Sequence, residues 1–510
     1  MQQHKRRLGN LDFPFHNDAP GRKAVCCSAG CAYNRRDRTM AISNSPTAAV
    51  PSKAPKENVA HSMIRALRHR NYRLFFAGQL ISLVGTFLTQ YATIWFVWRL
   101  TDSLAMLGTV GFLGQLPLFV LSPFAGVYAD RVNRRKFIVL TQALSMLQSL
   151  GLAAVAFWWS HNRHVAVPAL IGLAVIQGII NAFDMPARQA FLVEMVTDRA
   201  DLPNAIALNS TMVHGARILG PALAGIVIQA FGESLCFFID AVSYIAVIAA
   251  LIAMVVVPLP PRKTGSVKAE LLEGLHYVWN FTPVRTLLLF MALLSLTGLP
   301  AISILMPVFG DYFGGHSNHG PITYGTIGSM SGVGALIGAV YLASRKTVLG
   351  LGRLIGIAVA VFGLAIIGFS LSRHLWLSLL IIPFGGWGMI TSFASSNTII
   401  QTLVEDNKRG RVMSFFGMAF LGMAPFGNLL AGKTAKWLTP ANVDPHAGAL
   451  IGASHTIFIA GVICLIATAV YMLQLPAVRR AARPIYIQKG ILPEVAAGLQ
   501  IADEMPGTGE

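Results

Sequence analysis

The sequence predicts an all-α membrane protein with twelve transmembrane helices in two six-helix bundles. Three observations predict it. Of 510 residues, 54% are hydrophobic and only 12% charged, with a mean hydropathy of +0.59; a soluble chain of this size carries more charge. Twelve apolar runs are each long enough to cross ~30 Å of hydrocarbon as a helix. Basic residues also fall on alternate connections, 23 Lys/Arg on one side against 5 on the other, which fixes an orientation with both termini in the cytoplasm.

The chain begins with a basic tail, residues 1–63, rich in Pro, Ser, Asn and Arg and expected to be disordered. Residues 1–73 hold 14 Lys/Arg against 4 Asp/Glu, over half of the net charge of +18. These cations flank apolar spans, so anionic lipid headgroups are the expected partner and nucleic acid is not. No cleavable signal is visible at the start, and Met40 and Met63 are alternative starts. Cys26, Cys27 and Cys31 lack a matching second ligand pair, so no metal is expected; the lipoprotein-like Ser28–Cys31 stretch lacks Leu and a preceding apolar run. Cys236 and Cys464 lie in apolar runs.

The first bundle, 64–258, holds spans at about 74–98, 104–127, 137–158, 165–184, 208–231 and 235–257. Span one places Gln79, Ser82, Thr86, Thr89 and Thr93 on one stripe. Gly126 to Lys136 form a short charged turn after span two. There Gly126 permits close helix approach, Asp130 and Arg131 start the turn, and Arg134, Arg135 and Lys136 hold it at the cytoplasmic face. Span four carries Gln177, Asn181 and Asp184; span five carries Ser210, His214, Arg217, Gly220 and Pro221. Arg217 lies ~13 Å deep in its span. It is either an anionic-substrate or coupling contact, or a structural Arg held by carbonyls and a carboxylate. His214, one turn away, belongs to the side-chain type that titrates near neutral pH. Asp240 in span six is the other deep charge. It lies ~12 Å nearer the outer face than Arg217, too far for direct pairing.

A linker, 259–285, separates the bundles. Leu271, Leu272, Leu275, Val278 and Trp279 recur at helical spacing, a stripe suited to the bilayer surface or to the protein itself. The second bundle, 286–475, has spans at about 286–309, 322–344, 352–371, 374–396, 412–432 and 452–474, before a cytoplasmic tail, 476–510. Span ten offers Trp387, Thr391 and Ser395. Trp95, Trp98, Trp158 and Trp159 fall where an outer aromatic belt is expected. Gly427 to Thr434 match the Walker A pattern literally, but they end an apolar helix rather than follow a strand. Packing glycines and an exposed Lys433 are therefore expected there, not a nucleotide site.

The turn Gly-Val-Tyr128-Ala-Asp130-Arg131-Val-Asn133-Arg134-Arg135 resembles the loop between spans two and three of the major facilitator superfamily, with Tyr128 and Asn133 as departures. Asn181-Ala-Phe-Asp184-Met-Pro-Ala-Arg188, Ala216-Arg217-Ile-Leu-Gly220-Pro221 and Arg409-Gly-Arg411-Val-Met-Ser414 are similar to one bacterial branch. That branch includes enterobactin exporters and is described as transmembrane secretion effectors.

The resemblance implies the major facilitator fold and a secondary transporter that exports a small organic molecule, siderophore-like or drug-like. It would work by alternating access with proton antiport, as a monomer in the bacterial inner membrane, and not as an enzyme; no cofactor is implied. In that fold spans one, four, seven and ten line the cavity, so Gln79, Ser82, Thr86, Gln177, Asn181, Trp387 and Thr391, together with His214 and Arg217 of span five, are the cavity candidates. Gly126, Asp130, Arg131, Arg134, Arg135, Asp184, Gly220 and Pro221 are the gating candidates, with Arg134 and Arg135 expected to reach between Asp130 and Asp184. Ala174 stands where many proton-coupled members carry Arg, and the span-five antiporter signature is partial. An importer of the same fold and an ATP-dependent membrane enzyme are the alternative functions.

Overall fold

The computed structural model describes residues 65–129, 132–196, 198, 201–255, 267–315, 319–345 and 347–492. The expectations for the N-terminal tail and its cysteines, and for Asp130, Arg131 and Arg199, lie outside the described residues.

A single 3-10 turn, Arg65–Arg68, leads into fifteen helices among those residues. The first six are α1 (Arg70–Thr101), α2 (Leu104–Ala129), α3 (Arg134–Trp158), α4 (Arg163–Glu194), α5 (Leu202–Phe231) and α6 (Glu233–Ala253). The linker holds α7 (Val267–Asn280). Then come α8 (Thr282–Leu296), α9 (Gly298–Phe313), α10 (Gly320–Ala343), α11 (Leu351–Leu371), α12 (Leu375–Leu403), α13 (Asp406–Phe420), α14 (Ala424–Trp437) and α15 (Pro445–Gln488). They make twelve spans long and apolar enough to cross a membrane, with α8–α9 forming span seven and α13–α14 span eleven. Leu147, Ile245, Leu364 and Leu473 point outward and are exposed, as a lipid-facing surface requires.

Local chemistry sets the turns. Asn133 accepts from the Lys136 backbone N–H at 3.2 Å and caps α3. Gly232, at φ +81°, reverses the chain between α5 and α6. Asp444 accepts from His446 and Ala447 to start α15.

Spans seven and eleven are not the continuous helices that their apolar runs predict. Span seven breaks at Thr297 and span eleven between Leu421 and Met423. Pro300 and Pro425 each follow a break, and a proline lacks a donor and clashes with the carbonyl four residues before it. The two breaks face each other. Ser295 Oγ donates to the Phe420 carbonyl, and Gly427 packs on the Leu296 carbonyl, where a Cβ would come within 2.5 Å.

The N-terminal clamp sits at the end of the molecule that carries Arg134 and Arg135, called here the basic end. Ala66 donates to Asn204 at 2.8 Å, Tyr72 Oη donates to the Ala205 carbonyl at 2.8 Å, and Arg65 pairs with Asp201. At the opposite end Arg99 grips Glu233 in bidentate fashion at 2.7 and 3.0 Å, tying α1 to α6.

The halves meet through glycines. A Cβ on Gly108 would lie 2.6 Å from the Asn428 carbonyl, and one on Gly432 2.6 Å from the Leu104 carbonyl, so α2 and α14 touch backbone to backbone. Gly225 and Gly325 do the same for α5 and α10, the former 2.7 Å from the Pro321 carbonyl. All four lie toward the opposite end. Trp95 stacks on Tyr324 at 5.9 Å beside them. Toward the basic end, Gly215 of α5 and Gly417 of α13 meet nothing within 4 Å.

The expected aromatic belt is half corrected. Trp158 and Trp159 are exposed, but Trp95 and Trp98 are 6% and 3% exposed and serve the core. On α7, Leu272, Leu275 and Trp279 are exposed, while Val278 is buried and Glu273 pairs with Arg411 at 2.7 Å.

Gly432→Val should wedge α14 from α2 and open the opposite end. A cysteine introduced at Ser103 should then react about tenfold faster with an impermeant maleimide, a shift of ~1.4 kcal/mol between states. Lys433→Ala, which is exposed, should leave that rate unchanged.

Candidate functional site

The expected cavity residues fall in two groups, one of which rests on the seam between the halves. The first is on α5. Arg217 holds its guanidinium over the Phe87 ring at 5.7 Å, a contact of about 0.5–2 kcal/mol depending on desolvation. Tyr91 lies near enough to Arg217 to interact with it electrostatically. No carboxylate pairs with Arg217 among the described residues, so the carboxylate expected in its structural reading is not found. His214, one turn earlier, buries Nδ1 without a hydrogen-bond partner. The Arg217 carbonyl lies against Gly332 and Ser329 Oγ donates to the Ile218 carbonyl at 2.8 Å, so this turn of α5 rests on α10 of the other half.

The second group is on α4. Gln177 Nε2 donates to Asn181 Oδ1 at 3.1 Å and lies 3.4 Å from Ser145 Oγ. Trp387 packs beside Tyr341 at 6.1 Å, and Thr86 is exposed. Gln79, Ser82 and Thr391 are corrections: they are 2%, 1% and 0% exposed. Ser82 offers its carbonyl to Thr86, and Thr391 Oγ1 faces Gly338, where a Cβ would lie 2.9 Å away. These side chains fill contacts between helices, as small polar groups do in membrane bundles.

The gating candidates also find other partners. Arg134 pairs with Glu194 of α4. Arg135 donates to the Leu251 and Ile252 carbonyls at 2.7 and 2.6 Å, where a helix C-terminus attracts a cation. Neither bridges to Asp184, which corrects that part of the expected cluster; the Asp130 part lies outside the described residues. Asp184, 4% exposed, accepts from Thr141 Oγ1 at 2.6 Å, Gln142 Nε2 at 2.9 Å and Arg188 Nε at 3.0 Å. Gly126 lies in α2. Gly220 packs on Phe87 of α1, and the Pro221 carbonyl packs on Gly325 of α10, so both residues serve the seam between helices. The Walker-like stretch is helical in α14, with Gly427 against α8 and Gly432 against α2.

Sequence reasoning missed the corner at the opposite end. Asp102 ends α1 in left-handed geometry, φ +44°, which Asp tolerates. It interacts with His446 and Asp311 of the second half, themselves 3.5 Å apart. Burial pushes the Asp102 carboxyl above the usual carboxylate range; His446 opposes the shift and Asp311 adds to it. At the basic end the sign reverses: a hydrogen bond with His69 at 2.9 Å, and then Arg65, hold Asp201 below that range.

The family described as "Transmembrane secretion effector" matches residues 61–484. The chain is 24% identical over 363 residues to a staphyloferrin A transporter of Staphylococcus aureus, covering 70% of this chain and 88% of that protein. It is 29% identical over 370 residues to the multidrug efflux pump Tap of Mycolicibacterium fortuitum, covering 69% and 86%. Among solved structures, a bacterial homolog of the human lysosomal transporter Spinster superimposes with a TM-score of 0.64 at 14% identity, covering 81% and 98%.

Two outcomes follow from this geometry. Arg217→Ala should cut transport at least tenfold in reconstituted vesicles without loss of folded protein, with partial recovery in Arg217→Lys, which keeps charge but not the planar fork. For Asp102, a carboxyl held above its ordinary range in the sealed end favours that end below about pH 4 and loses that contribution as pH rises through its raised value. Hydrogen exchange at the α1–α2 turn, divided by the intrinsic base-catalysed rate at each pH, should therefore quicken between pH 4 and 7, and Asp102→Asn should flatten that residual rise.

Proposed function

Because the chain belongs to the transmembrane secretion effector family, a branch of the major facilitator superfamily, we propose that it exports a small amphipathic organic molecule in exchange for protons. The molecule is of the siderophore or drug class. The names of its relatives, a staphyloferrin A transporter and a multidrug efflux pump, support that class.

The observation that carries alternating access is the seam. Glycines join α2 to α14 and α5 to α10 at one end, while Gly215 and Gly417 face open space toward the other. Two bundles that touch through glycines can rock about that contact, exposing a central site first to one side and then to the other. The excess of Lys and Arg places the basic end in the bacterial cytoplasm with both termini. This conformation then opens inward, ready to take substrate from the cell. Each half supplies one wall of the site, so a single chain suffices. Arg217, His214, Gln177, Asn181, Thr86 and Trp387 are its polar and aromatic lining. The cation at Arg217 suits a carboxylate or the face of an aromatic substrate.

The reading is tested in everted membrane vesicles, whose outer face is cytoplasmic. With ATP absent and the lumen acidic, the vesicles should accumulate ethidium or an anionic siderophore. The accumulation should collapse when the pH gradient is dissipated. Uptake that needs ATP, or that ignores the gradient, overturns it.

A further inference from the structure

We propose that Asp240 carries the exchanged proton, at a site buried inside the first half and served by the polar face of α3. The inference rests on the proton-antiport reading and assigns a residue to it.

Asp240 lies on α6 and is 1% exposed. No ion pair reaches it among the described residues. The groups that face it are Gly85 and Thr89 from α1, Ser149 from α3, and Ser243 and the titratable Tyr244 from its own helix. An ionised carboxyl with only hydroxyl partners, inside a bundle in hydrocarbon, is costly. The neutral acid relieves that cost, so the site favours a proton.

Ser149 makes the change reversible. Its hydroxyl lies 2.7 Å from Asp240 Oδ2 and 3.4 Å from Gln148 Oε1. It has one proton and two acceptors. With Asp240 ionised, the Ser149 proton points to Oδ2. With Oδ2 protonated, Asp240 donates to Ser149, and Ser149 turns its own proton to Gln148. The hydroxyl is satisfied in both states. Oδ1 and Thr89 Oγ1 are each buried without a hydrogen-bond partner. Gly85 leaves the room: a Cβ there would lie 2.8 Å from Oδ1.

A polar face also runs from Asp240 toward the basic end. Thr141, Gln142, Ser145, Gln148 and Ser149 occupy one face of α3, all between 1% and 6% exposed. At the basic end this face meets Asp184. Midway it meets Gln177 and, through it, Asn181 of the candidate cavity. Proton transfer along hydroxyls and amides needs no oxidant. A proton from outer water forms an O–H bond on Asp240, the bundles rock, and the same bond releases the proton to cytoplasmic water as substrate leaves the other way.

Purified protein in lipid nanodiscs is moved from pH 5 to pH 8 and the protons released are counted. Wild type should release one more proton per chain than Asp240→Asn. Equal release overturns the proposal. Ser149→Ala removes the donor to the ionised form and should move the midpoint of that release up by about one pH unit; an unmoved midpoint overturns it too, even if Asp240→Asn fails to fold. In proteoliposomes holding a pH-sensitive dye, ethidium exchange between equal pools should survive in Asp240→Asn while ethidium-driven proton movement is lost. Proton movement kept in the variant overturns the assignment alone. Proton movement absent from wild type, with ethidium exchange intact, overturns the antiport reading and the assignment with it.

Discussion

The close approach of α2 to α14 and of α5 to α10 is the constraint on which the rest of this structure depends. In lipid there is little hydrophobic gain in pressing helices together, so association relies on packing and on polar contacts. Glycine at 108, 225, 325 and 432 removes the side chains that would hold the backbones apart. Contacts that unite the halves at this end then lie within reach, among them Trp95 on Tyr324, Gln229 beside His319 at 3.3 Å, and Asp102 interacting with Asp311 and His446. The position of Arg217 follows as well, because the same turn of α5 leans on Gly332 and Ser329 of α10.

The halves share an architecture but divide the physical work. The buried carboxylates among the described residues, Asp184, Asp201, Glu233 and Asp240, all lie in the first half. That half is tied internally by charge and hydrogen bonds, from the Arg65–Asp201 clamp to the Arg99–Glu233 pair. The second half has instead two interrupted spans whose breaks are joined by the Ser295 hydrogen bond and by the packing of Gly427.

Several polar residues that the sequence puts deep in the spans face neighbouring helices rather than open space. Thr391 and Ser82 sit on helical stripes with Trp387 and Thr86, but a few degrees of rotation decide whether a hydroxyl faces water or a neighbouring helix. Arg134 and Arg135 lie in a motif that points to Asp184, and they instead bind Glu194 and the end of α6. Proline was similarly ambiguous. Pro300 and Pro425 accompany breaks, whereas Pro168, Pro186, Pro221, Pro307 and Pro383 lie inside helices that continue. The outcome depends on whether neighbours satisfy the freed carbonyl, and the neighbours come from distant sequence.

By itself the sequence determined the class, the twelve spans, the two bundles and the family. Those follow from hydrophobic length, which the bilayer thickness sets, and from motifs that are local in the chain. Only the tertiary structure decided which polar side chains meet. Asp240 and Ser149 are 91 positions apart, and Gly108 and Gly432 stand in different halves. The physical reason is that burial in a helical bundle belongs to pairs of helices: a sequence specifies each helix's faces, but the face opposite belongs to another part of the chain.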